Sequence, residues 1–364
     1  MPDRMDVDVL IQGGLVVTLD GEDRIYENGA VAVRGVEITH VGPAVEVQAQ
    51  VAAETVIDAA DTVVMPGLVN AHSHVAMTLF RGLADDMPLE RWLDRIWKVE
   101  QAYATADNVR IGTELAFAEM IRGGTTAVSD MYWHRDVTTD VAKEVGFRLQ
   151  DGPSFIDFVG PDGIRPENRL ELAREYLTRY ADDPLIARCV QAHATYTVPR
   201  GLLEQCRELA EEFDVVFVTH AAESAAEVAS VKEKFGQTPV RVLDDLDLLG
   251  PKTLLAHGVH LDDEEIALLA ERGTSIVHCP ESNLKLGSGI ARLPELLAAG
   301  VPMGLGTDGA ASNNDLDMWG EMRTAAMIHK GVHEDPTVVP ARAVLHMATS
   351  GSARAMGLAD RIGS

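Results

Sequence analysis

His72-Ser73-His74 is the stretch of this sequence best suited to hold a metal ion. On an extended chain, side chains at i and i+2 point to the same side with Cα atoms about 6.6 Å apart, so both imidazoles can reach one ion. A lone His-x-His pair is more often an accident of a turn or a surface. Here it gains weight because polar residues recur at the ends of later apolar runs: Asp130, His193, His220, His257, His278 and Asp308. Three imidazoles plus a carboxylate suit a borderline divalent ion such as zinc or iron(II), leaving one position for water. His72, His74, His220 and Asp308 are the expected ligand set.

Glu223 follows His220 by three residues, where a strand turns into a loop, so its carboxylate can reach the same site and move a proton. The competing reading makes Glu223 a cap of the next helix, with Glu227 on that helix's outer face. His257 is expected to act on the attacking water and His193 to face the substrate. His278, Cys279, His329, His333 and His346 are read as structural.

The elements that must position these residues fall into two textures. Residues 6 to 64 are short alternating runs broken by turn residues, a small β-rich module. Beyond them, apolar runs alternate with amphipathic helices, the rhythm of βα units on a parallel sheet. Eight such runs occur: Val63 to Val69, Thr125 to Ser129, Phe147 to Gln150, Ile186 to Ala192, Val215 to Val218, Thr253 to Ala256, Ser275 to Val277 and Val301 to Leu305. The helix between the fourth and fifth places Leu202, Leu203, Cys206, Leu209, Ala210 and Phe213 on one face, and Gly273 and Gly300 read as helix C-terminal caps. The expected fold is a (βα)8 barrel of residues 65–364 preceded by part of a small β-sandwich-like domain, residues 1–64. In such a barrel the C-terminal ends of the strands carry the active site, and the His and Asp residues stand there.

With 364 residues, 31 basic against 57 acidic, the chain carries a net charge of −26. That charge repels phosphate backbones and anionic headgroups, so neither nucleic acid nor membrane is an expected partner. Three cysteines at long spacings, Cys189, Cys206 and Cys279, form neither a disulfide framework nor a CxxC site and fit a reducing cytoplasm. The N-terminal residues are too polar for a signal peptide, and no window approaches a membrane span. A homo-oligomer is compatible with all of this.

Taken together, several motifs resemble the amidohydrolase superfamily: Pro66-Gly67-Leu68-Val69-Asn70-Ala71-His72-Ser73-His74, Thr219-His220 with Glu223, Ala256-His257, and Gly306-Thr307-Asp308-Gly309. Within it the chain is similar to the branch of 5-methylthioadenosine/S-adenosylhomocysteine deaminases and chlorohydrolases. That closer match rests on Met77-Thr78-Leu79-Phe80-Arg81-Gly82, Ser282-Asn283-Leu284-Lys285-Leu286-Gly287 and Gly309-Ala310-Ala311-Ser312-Asn313-Asn314. It implies a metal-dependent deaminase of an adenine-type nucleoside, the alternative being a guanine-like, pterin or triazine ring losing ammonia or halide. It also implies metal positions at His72, His74, His220 and Asp308, catalytic roles for Glu223, His257 and Asp308, and substrate contacts from Trp92, Glu100 and His193, with Glu100 on the ribose hydroxyls. A bridged pair of ions would need a carbamylated lysine on the fourth strand, which reads Val190-Gln191-Ala192-His193-Ala194, so one ion is expected, zinc before iron(II).

Two departures from the family pattern stand out. Members that accept S-adenosylhomocysteine place an arginine where this chain has Pro153; a second arginine is matched by Arg169 or Arg165, and Arg169 is taken as the substrate contact. The chain stops at Ile362-Gly363-Ser364, where relatives continue through strands that complete the small domain, so residues 6 to 64 are expected to carry unpaired sheet edges.

Overall fold

A computed structural model describes residues 4–364. The chain divides into two compact units, one comprising the residues up to Pro66 with Ile362–Ser364, the other Gly67–Arg361.

The smaller unit is a five-stranded mixed sheet. Met5–Val17 lies between Ile25–Arg34, antiparallel to it, and Val51–Asp58, parallel to it; Glu37–Pro43 flanks Ile25–Arg34, and Val63–Val64 pairs with Leu15 and Val16. One face is closed by the helix Ala44–Gln50, whose Ala44 and Val47 pack with Val7, Leu10, Ala30, Ala32 and Val51. The outer strands of the sheet are Glu37–Pro43 and Val51–Asp58, and Ile38, Val41, Val56 and Ile57 are exposed on them.

The larger unit is a parallel barrel of eight strands: Leu68–Ser73, Thr125–Asp130, Arg148–Asp151, Ile186–Ala194, Val216–Ala221, Thr253–His257, Ser275–His278 and Met303–Leu305. A two-residue strand, Ser154–Phe155, adds to the fourth. The apolar run Val63 to Val69, expected as one strand, is divided. Val63–Val64 belongs to the small sheet and the barrel strand begins at Leu68, because Pro66 between them has no N–H to give to a ladder.

The last strand meets the first to close the circle. Asp308 N–H donates to the His72 carbonyl at 3.0 Å, while the Asn70 side chain accepts from Thr307 N–H at 3.1 Å and donates to Thr307 Oγ1 at 2.7 Å. Gly306 permits this approach, since a Cβ there would sit 2.8 Å from both the backbone nitrogen and the carbonyl oxygen of His72.

The helices bury the faces that their periodicity indicates. Arg200–Phe213 turns Leu203, Cys206, Leu209 and Ala210 inward. Asp263–Arg272 opens on a reciprocal box between Asp262 and Glu265 and ends on Gly273 in the left-handed conformation. Among the described residues no helix is long and apolar enough to cross a membrane.

Candidate active site

The strand ends bring the histidines together. His72 and His220 approach to 3.1 Å between their Nε2 atoms, His74 Nε2 stands 3.2 Å from Asp308 Oδ1, and His72 Nε2 stands 3.5 Å from the same oxygen. Two overlapping sets, His72 with His220 and His257, and His72 with His74 and Asp308, each place their ligand atoms within 4.8 Å of one another. His74 Nδ1 donates to the Met131 carbonyl and His220 Nδ1 to the His193 carbonyl at 2.7 Å, which turns the lone pairs of both Nε2 atoms into the cluster.

Asp308 Oδ1 is buried and makes no hydrogen bond, while Oδ2 accepts from the hydroxyls of Ser282 at 2.6 Å and Ser312 at 2.7 Å. An orphaned carboxylate oxygen facing three converging imidazoles is the donor set a divalent cation needs. The residues fit a metal ion.

Electrostatics agrees with that geometry at His72 and His220. Burial drives His72 and His220 below the ordinary imidazole range, so both are neutral and free to donate lone pairs. Burial acts the same way on His74, but the neighbouring Asp308 overcomes it and lifts His74 to about 9, so a cation binding there must displace a proton from Nε2. Burial would raise Asp308, yet contacts with His72 and His74 hold it well below the usual carboxylate range.

Glu223 is buried beside this cluster, its Oε2 3.6 Å from His257 Nε2. Burial, reinforced by the charges of Asp308, Glu227 and Glu90, pushes its pKa well above the ordinary value. Asn283 Nδ2 donates to His257 Nδ1 at 3.0 Å, which leaves the imidazole proton on Nε2, toward Glu223. His257 and Asp308 adopt φ of +77° and +60°. Left-handed backbone at non-glycine residues costs about 1–3 kcal/mol each and gathers at functional sites.

Glu223 does not cap the following helix. Ser224 does, its Oγ accepting from Glu227 N–H at 3.0 Å, and Glu227 is buried rather than on the outer face.

His74, His220, His257, Asp308 and Glu223 line a pocket walled by Trp92, Trp97, Tyr132, Trp133, Tyr196, Met77 and several leucines. Glu100 stands in its wall with Oε2 accepting from Trp133 Nε1–H at 3.2 Å and Oε1 buried without a partner. Burial raises Glu100 to about 7. Trp92 lines the same space and donates its indole N–H to the Ala311 carbonyl, and His193, held by Thr197 Oγ1 at 2.7 Å, lies against Trp97 and His220.

Arg169 lies elsewhere. It is not among the cavity's lining residues, and its guanidinium donates to both Asp162 oxygens at 3.1 Å and to the carbonyls of Ser154 and Ile164. The position that suggested a substrate contact is a buried anchor for the loop after the third strand, because a fork of donors this deep must be satisfied locally. Arg165 is exposed near Glu167. Among the described residues no lysine or arginine lines the cavity. Reasoning from sequence passed over Ser282, Ser312, Asn283 and the aromatic residues Trp97, Tyr132, Trp133 and Tyr196. The first three lie inside motifs that already stood out, next to the strand ends.

Comparison with known proteins bears on this geometry directly. Residues 63–364 match the model of the amidohydrolase family. The chain belongs to that family. It is 46% identical over 356 residues to a 5-methylthioadenosine/S-adenosylhomocysteine deaminase of Syntrophobacter fumaroxidans, an alignment covering 98% of this chain and 81% of the relative. Among solved structures, an adenosine deaminase from Xanthomonas campestris with bound zinc superposes with a TM-score of 0.96 at 44% identity, over 100% of this chain and 83% of that one. An atrazine chlorohydrolase from Arthrobacter aurescens, also with zinc, gives a TM-score of 0.90 at 26% identity, over 98% of this chain and 84% of that one. The protein is accordingly a metal-dependent hydrolytic enzyme.

Proposed function

We infer that the protein is a hydrolytic deaminase that releases ammonia from the adenine ring of a nucleoside such as methylthioadenosine or adenosine. The observation that carries this reading is one pocket lined together by His74, His220, His257, Asp308 and Glu223, by aromatic rings, and by Glu100 with an unpartnered oxygen. A flat purine fits between aromatic faces, and a free buried acceptor asks for a hydroxyl pair such as ribose carries.

His72, His74, His220 and Asp308 would hold a single divalent ion, zinc by preference for this ligand set. When bound, such an ion supplies a water acidic enough to lose its proton near neutral pH. Asp308 Oδ1 takes that proton as the water oxygen bonds to the ring carbon bearing the amine. Glu223, protonated at rest, gives its proton to the adjacent ring nitrogen, which makes that carbon electrophilic and leaves a neutral ring in the tetrahedral adduct. His257 Nε2–H orients the attacking oxygen. The proton on Asp308 passes to the amine, which leaves as ammonia, while Glu223 recovers a proton from the new hydroxyl as the carbonyl forms. Trp92 and His193 bound the ring, and Glu100 accepts from the ribose.

The three cysteines are free and buried, consistent with a reducing cytoplasm. An ammonia-release screen over adenosine, guanine and pterin derivatives tests the reading, with a triazine assayed for chloride alongside. Turnover of the adenosine derivatives is expected; turnover confined to another ring class would replace it.

A further inference from the structure

Among the buried acids of the barrel, Glu227 has no place in the chemistry above, yet it holds the segment from which the proton donor projects. Its Oε1 accepts from Ala222 N–H at 3.1 Å and its Oε2 from Glu223 N–H at 2.6 Å. The carboxylate thus closes on two successive amides just before the helix Ala225–Phe235. Its own N–H is taken by Ser224 Oγ, which in turn donates to Glu90 Oε1 at 3.0 Å. In an ordinary helix-capping box the third helical residue reaches back to the N–H of the cap itself. Here the reach is one and two residues longer, to Glu223 and Ala222.

The longer reach matters because the backbone there is under strain. Ala222 sits at φ +54°, a left-handed conformation for a residue with a Cβ. Such a conformation persists only where surrounding bonds over-determine it. The Ala222 carbonyl meets the next strand's loop, accepting from Val259 and His260 N–H at 2.9 Å each, and the Ala221 carbonyl accepts from Gly258 at 3.1 Å. One side of the turn is therefore tied to the loop after His257 and the other to Glu227, with Glu223 between them.

We propose that Glu227 is a positioning residue for the deamination reaction: its carboxylate, clamped on the Ala222 and Glu223 amides, fixes the turn that aims the Glu223 side chain at the substrate ring. The proposal rests on Glu223 being the proton donor. Glu227 touches no substrate; it acts through Glu223.

The test is a mutant cycle of Glu223→Gln, Glu227→Gln and the double variant, with Glu265→Gln as comparator. Glu265 occupies the matching position of the box at Asp262 and is absent from the cavity lining, so it reports what losing such a bond does to stability alone. An amide at 227 keeps one acceptor and turns a donor toward the other N–H, releasing one side of the clamp. Misplacement of a catalytic group by about 1 Å can cost roughly 100-fold, so Glu227→Gln is expected to lower kcat about 10- to 100-fold with KM within about twofold and metal content unchanged. The double variant is expected to be no slower than Glu223→Gln, since a residue acting through another adds nothing once that other is disabled. Glu265→Gln is expected to keep kcat. If Glu227→Gln is not recovered folded, Ser224→Ala, which frees the Glu227 N–H, carries the same cycle with a smaller loss. A Glu227→Gln rate within about threefold of wild type, or losses that multiply in the double variant, overturns the proposal. A Glu223→Gln enzyme that stays fully active overturns the proton-donor reading instead.

Discussion

Ser312 donates its hydroxyl to Asp308 Oδ2 at 2.7 Å, and Ser282 reaches the same oxygen at 2.6 Å from a different turn. The two bonds leave Oδ1 the only free oxygen of the carboxylate, pointed at His72 and His74. Groups that orient metal ligands from behind are typically worth about 10- to 100-fold in affinity or activity. The Ser282→Ala/Ser312→Ala double variant is therefore expected to release its metal to a competing chelator at about 10- to 100-fold lower chelator concentration. Unchanged retention would mean that the serines merely fill space.

His220 and Glu223 separate metal binding from proton transfer, although they stand three residues apart. His220 offers Nε2 to the cluster and nothing else does so from the fifth strand, whereas Glu223 faces His257 across 3.6 Å. His220→Ala is expected to lose metal and activity together. Glu223→Gln should keep about one ion per chain by elemental analysis while kcat falls by roughly 100- to 10,000-fold, the usual worth of a general acid. Two tightly bound ions per chain would contradict the single-site reading.

Glu100 sets up a pH dependence of stability in the metal-free protein. Burial raises it from an ordinary 4.5 to about 7. A carboxyl with a raised folded pKa stabilises the fold, relative to its ionised state, fully below the unfolded value, and loses that contribution as pH climbs toward the folded one. Wild type should thus weaken against Glu100→Gln between about pH 4.5 and 7, by about 3 kcal/mol in all at 1.36 kcal/mol per unit. Thermal melts of both chelated proteins at pH 5 and pH 8 measure it; a gap in Tm that does not widen with pH would remove Glu100 as the cause.

The barrel and the metal cluster were legible because both repeat. Each of the eight apolar runs overlaps a barrel strand, and His72, His74, His220, His257 and Asp308 stand at or just past the strand ends, so periodicity and chemistry pointed to one rim. What failed to show was what the repeat does not encode. Nothing about Arg169 in the sequence distinguishes a guanidinium facing a cavity from one locked on Asp162 seven residues earlier. The competing reading that put Glu227 on the outer face fails because helical spacing is blind to a side chain that bends back past the cap. The small unit's sheet was visible as alternation, while the split at Pro66 needed pairing partners to be seen.

The substrate's tail is decided by what the cavity lacks. S-adenosylhomocysteine ends in an amino-acid group whose carboxylate wants a cation, best a bidentate arginine. The lining residues include none, Pro153 has no donor side chain, Arg169 already spends its guanidinium on Asp162 and two carbonyls, and Arg165 is exposed beside Glu167. A missing charge-assisted hydrogen bond costs about 1.5–3 kcal/mol, roughly 10- to 150-fold. Methylthioadenosine and adenosine lose nothing by the same absence, because their ribose can still meet the unpartnered Glu100 Oε1 and the apolar walls accept a methylthio group. Measured side by side, kcat/KM for the two neutral nucleosides is expected to exceed that for S-adenosylhomocysteine by at least about tenfold. An equal or higher value for S-adenosylhomocysteine would require a cation to reach the tail from outside the cavity. Arg165→Ala would then identify it by removing that activity while leaving adenosine turnover intact.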